Sequence, residues 1–157
     1  MKRMLVAAAA ILLFATPSAA RAQLADAKII TLQAAKTILS SAEAEARKNG
    51  WNVSIAVVDA HGELLAFERM DEAPLTTVAI SQGKALTAAR FRRPTRAIDS
   101  SVTAGRVQMM AFPGVMPVEG GVPVVVNGKY IGGVGASGAT AAQDAQVAKA
   151  GVDALRP

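Results

Sequence analysis

The chain has 157 residues, with 17 Lys+Arg against 12 Asp+Glu, one His and no Cys. The absence of Cys excludes disulfides, thiolate metal sites and Cys nucleophiles, and one His excludes a multi-histidine metal site within a subunit. The formal charge of +5 invites a nucleic-acid reading, but part of it sits at the extreme N-terminus.

That N-terminus has the grammar of an export signal. Lys2 and Arg3 form a basic start, residues 5–15 an apolar run too short to cross about 30 Å of hydrocarbon comfortably, and Ala20-Arg21-Ala22 an A-x-A cleavage site before Gln23. Residues 1–22 are thus expected to be a secretory signal peptide, cut after Ala22. One domain over residues 23–157 remains, periplasmic or secreted and without a membrane span after processing. Loss of Lys2, Arg3 and Arg21 lowers Lys+Arg from 17 to 14 while all 12 acids stay, so the charge falls to +2. The argument for a nucleic-acid partner goes with it. A domain of about 135 residues can bury a core without disulfides.

Thr31 reads as the N-cap of a first helix. Leu32, Ala35, Leu39, Ala42 and Ala46 share one face, and Gly50 stands where a C′ glycine belongs. Residues 51–69 read as a hairpin turning at Ala60-His61-Gly62. Its first strand is apolar on both faces around Val53, Ile55 and Val57, which predicts a central position in a sheet. Asp59 and Glu68 beside the turn are acid–base candidates, or plain solvated and capping carboxylates. Residues 75–90 form a second helix with Thr76 and Thr77 available to cap it and Lys84 flanking its packed face. Arg90, Arg92, Arg93 and Arg96 crowd into a basic rim or an anion-facing patch. Pro94 can open a short third helix.

Residues 100–119 are the least regular part, interrupted by Pro113, Gly114 and Pro117. Met109, Met110, Phe112, Val115 and Met116 can line a pocket, close an oligomer interface or sit as core under a loop. Residues 120–138, GGVPVVVNGKYIGGVGASG, organise the C-terminal half. Asn127-Gly128 is a two-residue hairpin turn, and Gly132, Gly133 and Gly135 on the return strand require something to approach its backbone closely. Thr140 and Gln143 make a capping box for a last helix, whose N-terminus offers a seat to an anion or packs closely on the sheet. Residues 133–138 match G-x-G-x-x-G. The chain ends after one further helix, however, and leaves no room for the second parallel strand a dinucleotide fold needs.

Hairpins dominate this order, so the predicted class is α+β, a single domain with a mostly antiparallel sheet and helices against it. His61, the one imidazole, is either a turn residue or an axial ligand to a haem iron. Met109, Met110 or Met116 can add a thioether, and Arg and Lys side chains can meet the propionates.

Four stretches carry a family resemblance: residues 56–71 (AVVDAHGELLAFERMD), residues 84–89 (KALTAA) with Arg93-Pro94-Thr95, residues 120–124 (GGVPV), and residues 133–138 (GVGASG) with Gln143-Asp144 and residues 148–151 (AKAG). Together they resemble the GlcG/HbpS-like family over about residues 30–155. The resemblance implies a profilin-like or PAS-like sheet of about five strands flanked by helices, and homo-oligomers. It also implies haem binding in exported HbpS-like members, whose domain has been called haem-degrading; GlcG itself accompanies glycolate-utilisation genes. It carries over no axial ligand. Arg69, Lys84, Gly120, Gly121, Ser137 and Gly138 are motif positions expected to line a shared ligand pocket. Two ligand classes stay open: haem, and a small organic carboxylate seated at the start of the last helix with Arg69 or Lys84 as counter-charge.

Overall fold

The computed structural model describes residues 27–155; the expected signal peptide and its cleavage site lie outside them. The elements are α1 (Leu32–Lys48), β1 (Ser54–Asp59), β2 (Leu64–Arg69), α2 (Thr77–Phe91), α3 (Thr95–Thr103), a 3-10 turn (Val107–Ala111), β3 (Gly121–Val126), β4 (Lys129–Ser137) and α4 (Ala141–Asp153). Two hairpins, β1–β2 and β3–β4, join through an antiparallel β1–β4 pair into a sheet of order β2-β1-β4-β3. Among the described residues the sheet has four strands, where the resemblance suggested about five. The irregular stretch before β3 gives α3 and a 3-10 turn, and its prolines and glycines leave no strand there.

Local chemistry explains the element boundaries. The Ala34 N–H donates to Thr31 Oγ1 at 3.2 Å to start α1. Asn127 and Gly128 both have positive φ, 51° and 73°, as a type I′ turn requires. At α4 the capping box is complete: the Gln143 N–H donates to Thr140 Oγ1, and the Thr140 N–H donates to Gln143 Oε1. The N-terminus of α2 departs from expectation. Thr76 makes no capping bond, and the Thr77 hydroxyl bonds Pro74 O and the Ser54 hydroxyl of β1, tying the helix to the sheet.

The layers are unequal in chemistry. Against one face α1 and α4 build the main core, with Ile38, Leu39, Ile55, Val57, Val124, Val134 and Val147 buried. Each such side chain contributes roughly 1.5–3 kcal/mol. Against the other face lies α2, which buries mostly small and polar residues: Ser81, Lys84, Ala85, Thr87, Ala88 and Ala89. This helix comes down onto bare backbone. A Cβ on Gly133 would overlap Ala85 O, and one on Gly135 would overlap Ser81 O. The close approach that Gly133 and Gly135 require is the approach of α2, whereas at Gly132 it is that of Val58 O of β1 and the Ile30 side chain.

Candidate functional site

Two places gather the chemistry-bearing residues. The first is the end of the sheet where β4 passes into α4. Lys84 comes from the buried side of α2, not its flank. Its Nζ donates to Asp144 Oδ2 at 2.8 Å and to Ala136 O at 3.1 Å, and the pair is almost wholly buried. The Ala139 N–H donates to Asp144 Oδ1 at 3.0 Å, and the Gly138 backbone adds a further bond. Burial pushes the Asp144 carboxyl up from its ordinary range, against the pull of Lys84 and the N–H groups of Ala139 and Gly138. Gly120, at φ 130°, keeps the passage open, since a Cβ there would stand 2.6 Å from Lys84 Nζ and 2.9 Å from Ala136 O. Gly121 lies under the Lys84 carbonyl, and Gly138 against Asn52 O.

Five of the six expected pocket positions therefore do converge: Lys84, Gly120, Gly121, Ser137 and Gly138. What fills the space between them is the protein's own ion pair. The N–H groups before α4, expected to seat a ligand anion, receive the Asp144 carboxylate and the Gln143 side chain. Asp144 had no part in the pocket inferred from sequence, although it stands in the matching C-terminal motif. Its signal was the sole acid in the first turn of α4, where a carboxylate meets unpaired N–H groups. Arg69 is apart from these. It pairs in register with Ser54, which pairs with Ser137, so it lies two strands from Ser137, roughly 10 Å at ordinary strand spacing. Arg69 is exposed at the edge of the sheet.

The second place is the β1–β2 turn. Asp59 Oδ1 accepts from the N–H groups of His61 at 2.8 Å and Glu63 at 2.9 Å. Partial burial raises the Asp59 carboxyl, but the N–H groups of Glu63, His61 and Gly62 outweigh it and hold the group below its ordinary range. Asp59 thus shapes the turn. His61 is left exposed, and its carbonyl accepts from Arg90 Nε of α2 at 2.8 Å. Under this turn lies Leu86, which a Cβ on Gly62 would overlap. A Cβ on Gly114, in the methionine-bearing loop, would meet the same Leu86 at 3.1 Å and Arg90 at 3.6 Å. That loop is pinned to α2 by Thr87, whose hydroxyl donates to Gly114 O and accepts from the Met116 N–H. Phe112 stacks on Phe91, ring centroids 6.2 Å apart. Met110 is 62% exposed and Phe112 48%, whereas Met109 is buried. The turn that bears the one imidazole, one guanidinium and an apolar loop thus meet at the C-terminal end of α2.

Glu68 lies elsewhere. It faces Glu43 of α1, and Glu43 also pairs with Arg47. Burial first, then the Glu43 charge and a hydrogen bond between the two carboxyls, raise Glu68 above its ordinary range.

The family described as "Haem degrading protein HbpS-like" matches residues 30–153. The chain belongs to that family. Among its relatives, Protein GlcG of Escherichia coli K12 is 50% identical over 109 residues, covering 69% of this chain and 81% of GlcG. A double mutant of HbpS from Streptomyces reticuli superposes with a TM-score of 0.81 at 33% identity, over 91% of this chain and 99% of that one. The solved complex of PduOC with haem superposes with a TM-score of 0.76 at 25% identity, over 82% and 96% of the two chains. Among the described residues, no group of three or more His, Cys, Asp and Glu is placed to hold a metal ion, and no helix is long and apolar enough to cross a membrane.

Proposed function

We propose that this HbpS-like chain is an exported haem-binding protein that sequesters haem or reports its presence, assembled as a homo-oligomer. The observation that carries the reading is the corner at the end of α2, where His61, Arg90 and the loop around Met110 and Phe112 are held together through Leu86 and Thr87. The fit to haem is chemical. An exposed neutral imidazole is an ordinary iron donor, Arg90 is a cation for a propionate, and Met110 and Phe112 offer exposed apolar surface to the macrocycle. Haem bound there supplies redox-active iron; the chain's part is to present His61 on a turn fixed by Asp59 and to hold Arg90 beside it. Family membership and the haem complex of PduOC support the same ligand. The export signal in residues 1–22 supports a periplasmic or secreted location.

A small carboxylate at the start of α4 is the weaker reading, because Asp144 already takes those N–H groups and Lys84 is committed to Asp144. The test is a haem titration followed by visible absorbance. A saturable Soret shift near one haem per subunit, or per subunit pair, is expected, altered in His61→Ala. The absence of a saturable shift overturns haem binding. A normal shift with an unaltered His61→Ala spectrum overturns the His61 assignment alone.

A further inference from the structure

The loop that packs at the C-terminal end of α2 is apolar and exposed, and its surroundings carry one sign of charge. Val107 is 57% exposed, and Met110 and Phe112 of the same segment are exposed with it. The segment is no loose tether: Met109 is buried, Phe112 stacks on Phe91, and Thr87 holds Gly114 and Met116 just beyond. Three arginines flank it. Arg106 opens the 3-10 turn, where its carbonyl accepts from the Met109 N–H at 3.1 Å. Arg92 and Arg93 follow Phe91, and Arg93 Nε donates to Phe91 O at 3.3 Å.

These three arginines are exposed, and among the described residues none of them forms an ion pair. Arg90 and Arg96 are left out of the count, since Glu63 and Glu119 stand 3.9 Å from them. Little acid is at hand to neutralise the rest. Residues 73–98 and 100–118 contain no Asp or Glu. Asp99 between them is half-buried, and its Oδ2 accepts from the Glu119 N–H.

Exposed apolar side chains among unpaired cations narrow the choice of partner. An isologous contact with a second copy would set the arginines of one copy against those of the other, which is repulsive. A nucleic acid would answer the arginines and leave Val107, Met110 and Phe112 in water. An anionic bilayer answers both, with phosphates at its surface and hydrocarbon just beneath.

We propose that this corner docks the protein on the surface of an anionic phospholipid membrane, with Val107, Met110 and Phe112 entering the interface and Arg92, Arg93 and Arg106 on the phosphates. The contact is peripheral and spans nothing. It needs neither haem nor an iron ligand, although Met110 and Phe112 belong to both surfaces.

Cosedimentation with vesicles tests it. The probes are vesicles of phosphatidylglycerol mixed with phosphatidylcholine, and vesicles of phosphatidylcholine alone. Saturable binding to the first is expected, roughly tenfold or more weaker on the second, and falling as salt screens the charge. Replacing both Arg92→Gln and Arg93→Gln is expected to weaken binding by roughly tenfold or more, since each cation near such a surface contributes about fivefold. Val107→Asp weakens it several-fold. These positions are exposed, so melting temperatures stay those of wild type. Any of residues 1–22 left on the chain are common to wild type and variants, so differences between them belong to the corner. The arginine double variant keeps the Soret band of wild type, and His61→Ala keeps vesicle binding, so this surface and the haem reading fail separately. The proposal is overturned if the charged vesicles are not bound, if both kinds of vesicle bind alike, or if the double variant binds like wild type. It is equally overturned if Val107→Asp has no effect while short duplex DNA binds more tightly than the vesicles, which would make the corner a surface for polyanions.

Discussion

The ammonium of Lys84 on α2 lies 2.8 Å from Oδ2 of Asp144 on α4, 60 residues further along the chain, and both side chains are buried. This bond joins the two helix layers around the end of the sheet. Its strength comes from completeness: Lys84 also donates to Ala136 O, and Asp144 also accepts from Ala139.

Removing one partner leaves a buried charge without its counter-ion, which costs about 3–5 kcal/mol. Lys84→Met is expected to lower unfolding free energy by that amount in urea titration. Adding Asp144→Asn, which keeps an acceptor for the Ala139 N–H, is expected to recover at least half of the loss. A cost below about 1 kcal/mol for Lys84→Met alone would show that the pair does not hold the layers.

The glycines of the sheet and of α2 are expected to respond in opposite directions. Gly135→Ala puts a Cβ into Ser81 O and within 2.5 Å of Ala85 N, both backbone atoms. The cost is at or above the ~1–3 kcal/mol of ordinary overpacking. Gly83→Ala meets no backbone atom, only the Met116 side chain at 3.1 Å from Cε and 3.3 Å from Cβ, a shift of a few tenths of an ångström set against up to about 1 kcal/mol of helix propensity. Thermal unfolding is expected to show a large fall for the first and little change or a gain for the second.

Glu68 gives a pH dependence with a defined sign. Its carboxyl is raised in the folded protein by burial and by Glu43, so the folded state holds the proton more tightly than the unfolded chain. Its contribution favours folding below the ordinary carboxylate value of 4.5 and is lost as pH rises through the folded value. Glu68→Gln removes this contribution. Melting temperatures measured across the acid range are expected to show wild type losing ground to the variant as pH rises from about 4.5, with no further divergence near neutrality.

Arg90 is expected to act on haem binding without touching iron. Arg90→Met removes the cation and the bond to His61 O but leaves the imidazole. Haem affinity is expected to fall several-fold while the Soret position stays that of wild type, whereas His61→Ala moves the band. A band shift in Arg90→Met equal to that in His61→Ala would assign Arg90 a role in placing the imidazole.

Much of the fold was legible because its signals are local. Thr31, Asn127-Gly128 and Thr140 with Gln143 each mark their boundary through one or two hydrogen bonds or a φ requirement within four residues. The apolar double-faced β1 revealed its central place for a similar reason. Lys84 was harder to read. Along α2 the buried positions are small or polar, so periodicity of hydrophobic residues does not mark the packed face, and a lysine beside it reads as exposed. Its burial depends on Asp144 and on the absence of a side chain at Gly120, both distant in sequence. The motif glycines were legible as close-approach positions, but sequence does not say whether a ligand or another part of the chain approaches. At Gly133 and Gly135 it is α2. The corner at His61 was half legible: the imidazole and the methionine loop were both evident, whereas their meeting over Leu86 and Arg90 is a product of the tertiary fold.

The lock between Lys84 and Asp144 also has a schedule. Asp144 is made 60 residues after Lys84, and β4, which lies between β1 and β3 in the sheet, precedes it by only a few residues. A growing chain therefore carries α2 with an unanswered ammonium until α4 emerges, and the sheet cannot close before β4 does. Latching of the two helix layers waits on α4: fragments ending before it form an unlatched chain open to proteolysis, not a smaller version of the same protein.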